Sequence, residues 1–177
     1  MAAGVERLGP RLWRAFGRDG RAYILRPLQP SDAPAMQRAW ENVDPDDRLM
    51  RAMRALPRIP DRLALSLCSV DEDRDVALAF TPESEPGKLV AGARLMRDPQ
   101  GSAGEYAVSV VSGLHGQGLG RKALETALEL GREIGMTEAW GVVSRRNTAM
   151  RALAAKLGMT ESPDPDDPGM VVTRLKL

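Results

Sequence analysis

The chain has one cysteine, one histidine and no apolar run near the roughly 18–20 residues that span a bilayer. The lone Cys68 cannot close an internal disulfide, which suits a reducing cytoplasm. Its expected role is that of a small buried apolar residue beside Leu65 and Leu67. With His115 as the only histidine and no ligand-spaced cluster, a metal centre has too few donors. Neither sign of charge prevails: 25 Lys and Arg face 24 Asp and Glu, a formal net charge of +1. So balanced a surface has no broad positive field for gripping DNA or RNA, and any anion must be bound locally. The first twenty residues carry arginines without an apolar h-region, so neither a signal peptide nor a membrane partner is expected.

What is there suits one folded unit. The 177 residues are 43% hydrophobic, enough for a core and too apolar for a disordered chain. Residues 1–20 read as an N-terminal extension and 21–177 as a single domain. Residues 22–28 predict a strand, and Ser31 or Asp32 caps a helix to about Asn42. DPDDRLMRAMRAL (44–56) predicts a second helix opened by an acidic turn, and 61–70 a third. Residues 76–81 and 88–97 have hairpin spacing, and EYAVSVV (105–111) follows as a strand. Over 118–135 the apolar positions Leu119, Ala123, Leu124, Ala127, Leu128, Leu130 and Ile134 give helical spacing, stopped by Gly135. A strand over 138–144, a helix over 148–158 and a strand over 170–177 complete an α/β sandwich on a mixed sheet. SPDPDDPG (162–169) reads as an acidic surface loop. Trp140 is expected between sheet and helix, and Trp40 in the core or lining a substrate groove.

Residues 115–120 read HGQGLG, with Arg121 and Lys122 behind. Each glycine costs entropy on folding, so three on alternate positions mark a place where side chains would obstruct something. The turn stands between a β-branched strand and an amphipathic helix. There the first helical amides lack intrahelical acceptors and the helix dipole favours an anion, so the corner suits a phosphate. The triphosphatase pattern GxxxxGK(S/T) is absent. Gly118, Gly120 and Ala123 do fit the GxGxxA of a dinucleotide fold. Against that stand the late position in the chain, the lack of an acidic ribose partner near 144, and too little chain afterwards for a doubly wound sheet.

The stretch VSVVSGLHGQGLGRKAL (108–124) resembles motif A of the GNAT acetyltransferases, (R/Q)xxGxG(A/G) after a strand. RRNTAMRALAAKLGM (145–159) is similar to that family's NxxAxxLYxKLGF, and YILRPLQPSDAPAM (23–36) to its opening strand and helix. The resemblance implies a mixed, mostly antiparallel sheet flanked by helices, with splayed central strands that bind coenzyme A. It implies that Val108, Ser109 and Val110 offer backbone groups to the pantetheine arm of acetyl-CoA. Gly116, Gln117, Gly118, Leu119, Gly120 and Arg121 would cradle its pyrophosphate, and Asn147 would contact it or order the strand end. His115 stands where Arg or Gln is usual, and Arg145 and Arg146 would reach the 3′-phosphate or stay solvated.

EYAVSVV, NTAMRALAAKLGM and DEDRDVALAF are most similar to one branch, the catalytic domain of Pat-type bacterial protein lysine acetyltransferases. That branch implies a cytoplasmic enzyme whose partner is a protein bearing a reactive lysine, such as an acyl-CoA synthetase. Acetyl transfer needs a neutral amine, and free lysine has a pKa near ~10.4, so a carboxylate must accept a proton. Glu105 starts the strand into the glycine turn, on the order of 16 Å from Val110 at ~3.3 Å per residue. The residues alone leave Glu105 open between a base and an ordinary strand-end carboxylate; the resemblance implies the base. The tyrosine that many members use to protonate the departing thiolate is replaced by Ala154, as in the Pat branch. Direct attack by the amine needs no nucleophile from Cys68, and no serine lies in a nucleophile-elbow context for a triad. A small-molecule amine as acceptor, or a non-catalytic acetyl-CoA sensor, are the competing readings.

Overall fold

The computed structural model describes residues 4–44, 56–99 and 101–177. Among them nine strands form one sheet in the order β1-β2-β3-β4-β5-β6-β7-β9-β8. The strands are β1 (Val5–Gly9), β2 (Leu12–Phe16), β3 (Ala22–Pro27), β4 (Val76–Pro82), β5 (Ala91–Arg97), β6 (Ala103–Val110), β7 (Glu138–Ser144), β8 (Thr160–Pro163) and β9 (Met170–Lys176). Every neighbouring pair is antiparallel except β6 and β7. The sheet is thus mixed and mostly antiparallel, with helices on both faces. The helix expected over 44–56 falls, apart from its two end residues, outside the described residues.

Two corrections concern the ends of the chain. Residues 5–16, expected in an extension, form β1 and β2 and pair in register with β3. Trp13 and Ala15 point into the core while Arg14 and Phe16 alternate outward, so this hairpin is built into the sheet. The stretch expected as a surface loop begins with the end of β8, an edge strand with every residue exposed. Asp164 within it is buried, and its carboxylate accepts the Asp166 amide at 3.0 Å.

One face of the sheet carries α3 (Leu119–Glu133) and α4 (Thr148–Lys156), the other α1 (Ala33–Glu41) and α2 (Asp61–Cys68). On α3 the stripe Leu119, Ala123, Leu124, Ala127, Leu128 and Leu130 is buried, each leucine contributing about 2 kcal/mol by leaving water. It packs on Leu25, Leu78, Leu95 and Tyr106. Across the sheet, Ala77 and Ala79 meet Cys68 and Met36. Arg26 of β3 grips Asp32 with two hydrogen bonds of 2.7 and 2.8 Å, and Asp32 also accepts the Gln29 amide. The carboxylate therefore reaches back to fix the chain's approach to α1 rather than forward to cap it.

Trp140 lies on the face away from α3 and α4, beside Val142, Met170 and Val172, and donates to the Asp98 carboxylate. The expectation that it packs between sheet and helix is corrected by strand alternation: Ala139 and Val143, not Trp140, face the main core.

Candidate functional site

The parallel ladder between β6 and β7 is short. Pairing runs from Ala103↔Glu138 to Glu105↔Trp140 and stops, although both strands continue. Tyr106 and Gly141 would come next. In place of ladder bonds, the Tyr106 ring packs against Gly141, where an added Cβ would sit 2.6 Å from the ring. Its hydroxyl meets Thr173 Oγ1 at 2.5 Å, and Thr173 donates to the Gly141 carbonyl at 3.2 Å. Burial raises the Tyr106 pKa to about 12, despite the lowering by Thr173, so the phenol stays protonated near neutrality. A ring wedged there opens a gap between two adjacent strands, with Glu105 at its apex.

The glycine turn sits at the wide end of this gap. Gly116 and Gly118 have φ of +78° and +83°, a region costly for side-chain-bearing residues. Gly120 has a different duty: an added Cβ would sit 3.1 Å from Val110 and 3.2 Å from Val108, so its absence lets α3 start close against β6. The amides of Leu119, Gly120 and Arg121 open α3 and have no carbonyl four residues back within it. Two ties from the β2–β3 hairpin hold the turn. The Asp19 amide donates to Gln117 Oε1 at 2.8 Å, and Lys122 Nζ donates to the Phe16 carbonyl at 3.0 Å. His115 Nε2 lies 3.2 Å from the Val110 carbonyl, returning the turn to the end of β6.

A cavity of about 360 Å³ opens here, lined by Val108, Val110, His115, Gly116, Gly118, Gly120, Arg121 and Asn147. Eight of the eleven expected cofactor contacts thus surround one space. The other three do not line it. Gln117 is turned to Asp19, Leu119 is buried beneath α3, and Ser109 points to the opposite face of the sheet. Arg145 and Arg146 do not line it either, and Arg145 donates to the Pro168 carbonyl. Cations that sequence reasoning missed do: Arg18 from the β2–β3 turn and Lys156 from the end of α4. Lys156 belongs to the KLG end of the second motif; Arg18 carried no sequence signal, because only the hairpin's addition to the sheet brings it near. Asn147 accepts the Met150 amide at 2.9 Å, and so caps α4 at the rim. Free amides, flanking cations and the apolar walls of Val108, Met150 and Leu153 fit a diphosphate joined to a largely uncharged arm.

Glu105 is half-buried at the apex of the gap, with Oε1 shielded from solvent. Strand alternation puts it on the α1/α2 face with Ala107 and Ser109. On that face lies a second, apolar cavity of about 90 Å³, bordered by Ala107, Val108 and Ser109 of β6 and by Trp40 of α1. Val108 borders both cavities, so the two lie back to back on either side of β6. Ala154, where a tyrosine acid is common, is buried in the core beneath α4. Burial pushes the Cys68 thiol up, and its Sγ rests 3.8 Å from Met36 Sδ, as suits an inert core residue. No helix among the described residues is long and apolar enough to cross a membrane.

Comparison with known proteins gives the family and the fold. Residues 23–160 match the family model described as Acetyltransferase (GNAT) domain. An acetyltransferase of Pseudomonas aeruginosa is 27% identical over 160 residues, 90% of this chain and 86% of that protein. The crystal structure of the GNAT domain of S. lividans PAT superposes with a TM-score of 0.82 at 23% identity, covering 97% of this chain and 100% of that one. The ribosomal-protein-S18-alanine N-acetyltransferase of Escherichia coli superposes at 0.64 with 20% identity, covering 87% and 93%.

Proposed function

Because the chain belongs to the GNAT acetyltransferase family, we propose that it transfers the acetyl group of acetyl-CoA to the side-chain amine of a protein lysine. The observation that carries the reading is the coincidence of one strand gap with two chemistries. A cation-flanked glycine turn lies at its wide end, and a carboxylate lies at its apex. Acetyl-CoA supplies an activated thioester. The amides opening α3, with Arg18, Arg121 and Lys156, hold the diphosphate. Backbone groups of Val108 and Val110 are left without β7 partners and orient the arm. Glu105 takes the proton of the attacking ammonium. The new N–C bond forms as the C–S bond breaks; the nitrogen sheds its second proton to solvent, and the departing thiolate is protonated by water.

Lysine as the acceptor is supported by the strings shared with the Pat branch and by the full-length likeness to the S. lividans PAT domain. An acyl-CoA synthetase is the first partner to try. Glu105→Gln should lower kcat/KM at neutral pH by about 10²–10⁴-fold while coenzyme A affinity holds. A sensor without chemistry would be indifferent to the change. Purified protein incubated with acetyl-CoA and an acyl-CoA synthetase should yield acetyl-lysine by mass spectrometry. Modification of free amines alone would refute the lysine reading.

A further inference from the structure

The cavity on the α1/α2 face contains a charge that the reaction above does not use. Its walls are aliphatic, from Leu28, Met36, Leu67 and Leu89, yet the guanidinium of Arg94 projects from β5 among them. Arg94 is 91% removed from solvent (9% exposed). Its Nη2 donates to the Leu67 carbonyl near the end of α2, whereas Nη1 has no hydrogen-bond partner among the described residues. Burial pulls its pKa down to about 10, with Cys68 and Asp75 opposing, so it stays cationic at neutral pH. A buried donor left unmade costs about 1–3 kcal/mol, more when charged. Structural need alone, the tether to Leu67, occupies only one of the two terminal nitrogens.

We propose that this cavity binds a carboxylate carried on a short aliphatic stem, with Arg94 as its anchor. About 90 Å³ has room for about six water-sized groups, the scale of a four-carbon chain. Arg94 stands opposite Ala107 in the β5–β6 register, and Glu105 lies two residues along the same face. The diagonal between such strand positions is about 7–8 Å, so the cavity that Arg94 enters and Glu105 share one face of the β5–β6 pair. Ser109 adds a hydroxyl to the same wall. The inference rests on the acetyl-transfer reading for the position of the reacting groups. Two sources share the chemistry: a donor whose acyl group ends in a carboxylate, or an acceptor amine that also carries one.

The test pairs molecules that differ in that carboxylate. On the donor side, turnover with succinyl-CoA is compared with butyryl-CoA; on the acceptor side, 4-aminobutanoate is compared with butylamine. The carboxylated member should win by at least about tenfold in kcat/KM in one arm, the strength of a charge-assisted hydrogen bond, and that arm identifies the source. Arg94→Met should erase the preference while calorimetric coenzyme A affinity is unchanged. Should that variant fail to fold, Ala39→Leu fills the cavity from α1 with Arg94 intact and should shrink the same preference. If coenzyme A binds and acetyl transfer proceeds but neither arm prefers the carboxylate, the proposal is overturned and Arg94 holds buried water only. If the preference survives both substitutions, the anchor lies elsewhere and the proposal is equally overturned. Absence of coenzyme A binding would remove the acetyl-transfer reading and this inference with it.

Discussion

Two cavities meet at β6, and they are made of different material. The one at the glycine turn sets a run of backbone-rich residues, 115–121, against the exposed face of α4 and its cap Asn147. The one beneath α1 and α2 is drawn from side chains of α1, α2, β4, β5 and β6, scattered between Leu28 and Val111. A backbone site depends on φ angles and on the absence of Cβ atoms, which few residue types allow. A side-chain cavity depends on how separate elements pack, and many sequences fill the same wall. The first kind of site is rigid by construction; the second is open to variation.

The sharpest way to break the contrast is at Gly118. Its φ of +83° is the conformation a β-branched residue tolerates least. Gly118→Val should weaken coenzyme A binding by about 10- to 100-fold, because about 1–3 kcal/mol of strain must be relieved by moving the amides. Calorimetry checks it. Affinity unchanged within error would mean that the turn does not hold the diphosphate, and the backbone account would fall.

The same difference in material explains what the sequence could and could not tell. HGQGLG was legible because its constraint is local: three glycines before an amphipathic helix describe a corner completely. The apolar stripes of α3 and β6 were legible for the same reason. Strands β1 and β2 were missed because VERLG and LWRAF offer only short alternation, and their meaning comes from pairing with β3. β8 was missed because TESP has no apolar side at all and is a strand only by its ladder to β9. Arg18 followed the missed hairpin. Arg94 within GARLMR looked like any strand residue between apolar neighbours; only the fold reveals that it points inward with one nitrogen unmatched.

The gap between β6 and β7 offers a second, smaller test. Gly141→Ala would put a Cβ 2.6 Å from the Tyr106 ring, and that ring is fully buried and cannot swing clear. Overpacking of this sort costs about 1–3 kcal/mol, read as a lowered denaturant midpoint with the m-value preserved. It should also disturb coenzyme A binding, since the ring marks where β6 and β7 part. A stability loss with normal cofactor binding would show that the wedge is a packing feature and that the gap persists without it.

The smallest effect separates the two faces by pH. The backbone amides of the glycine turn do not titrate, whereas α1 is fastened through the Arg26–Asp32 pair. Burial alone would raise the Asp32 carboxyl, but hydrogen bonds from Arg26 and the Gln29 amide outweigh it and hold it below its ordinary value. A carboxyl with a depressed folded pKa adds stability that is fully present above the unfolded value, near ~3.9, and is lost as pH falls through the folded one. Denaturant midpoints of the wild type and Asp32→Asn should therefore differ most near neutrality and converge below about pH 4. A difference that stays constant down to pH 2 would mean that the charge of Asp32 contributes nothing, and that the anchor of α1 is as indifferent to protons as the turn on the other face.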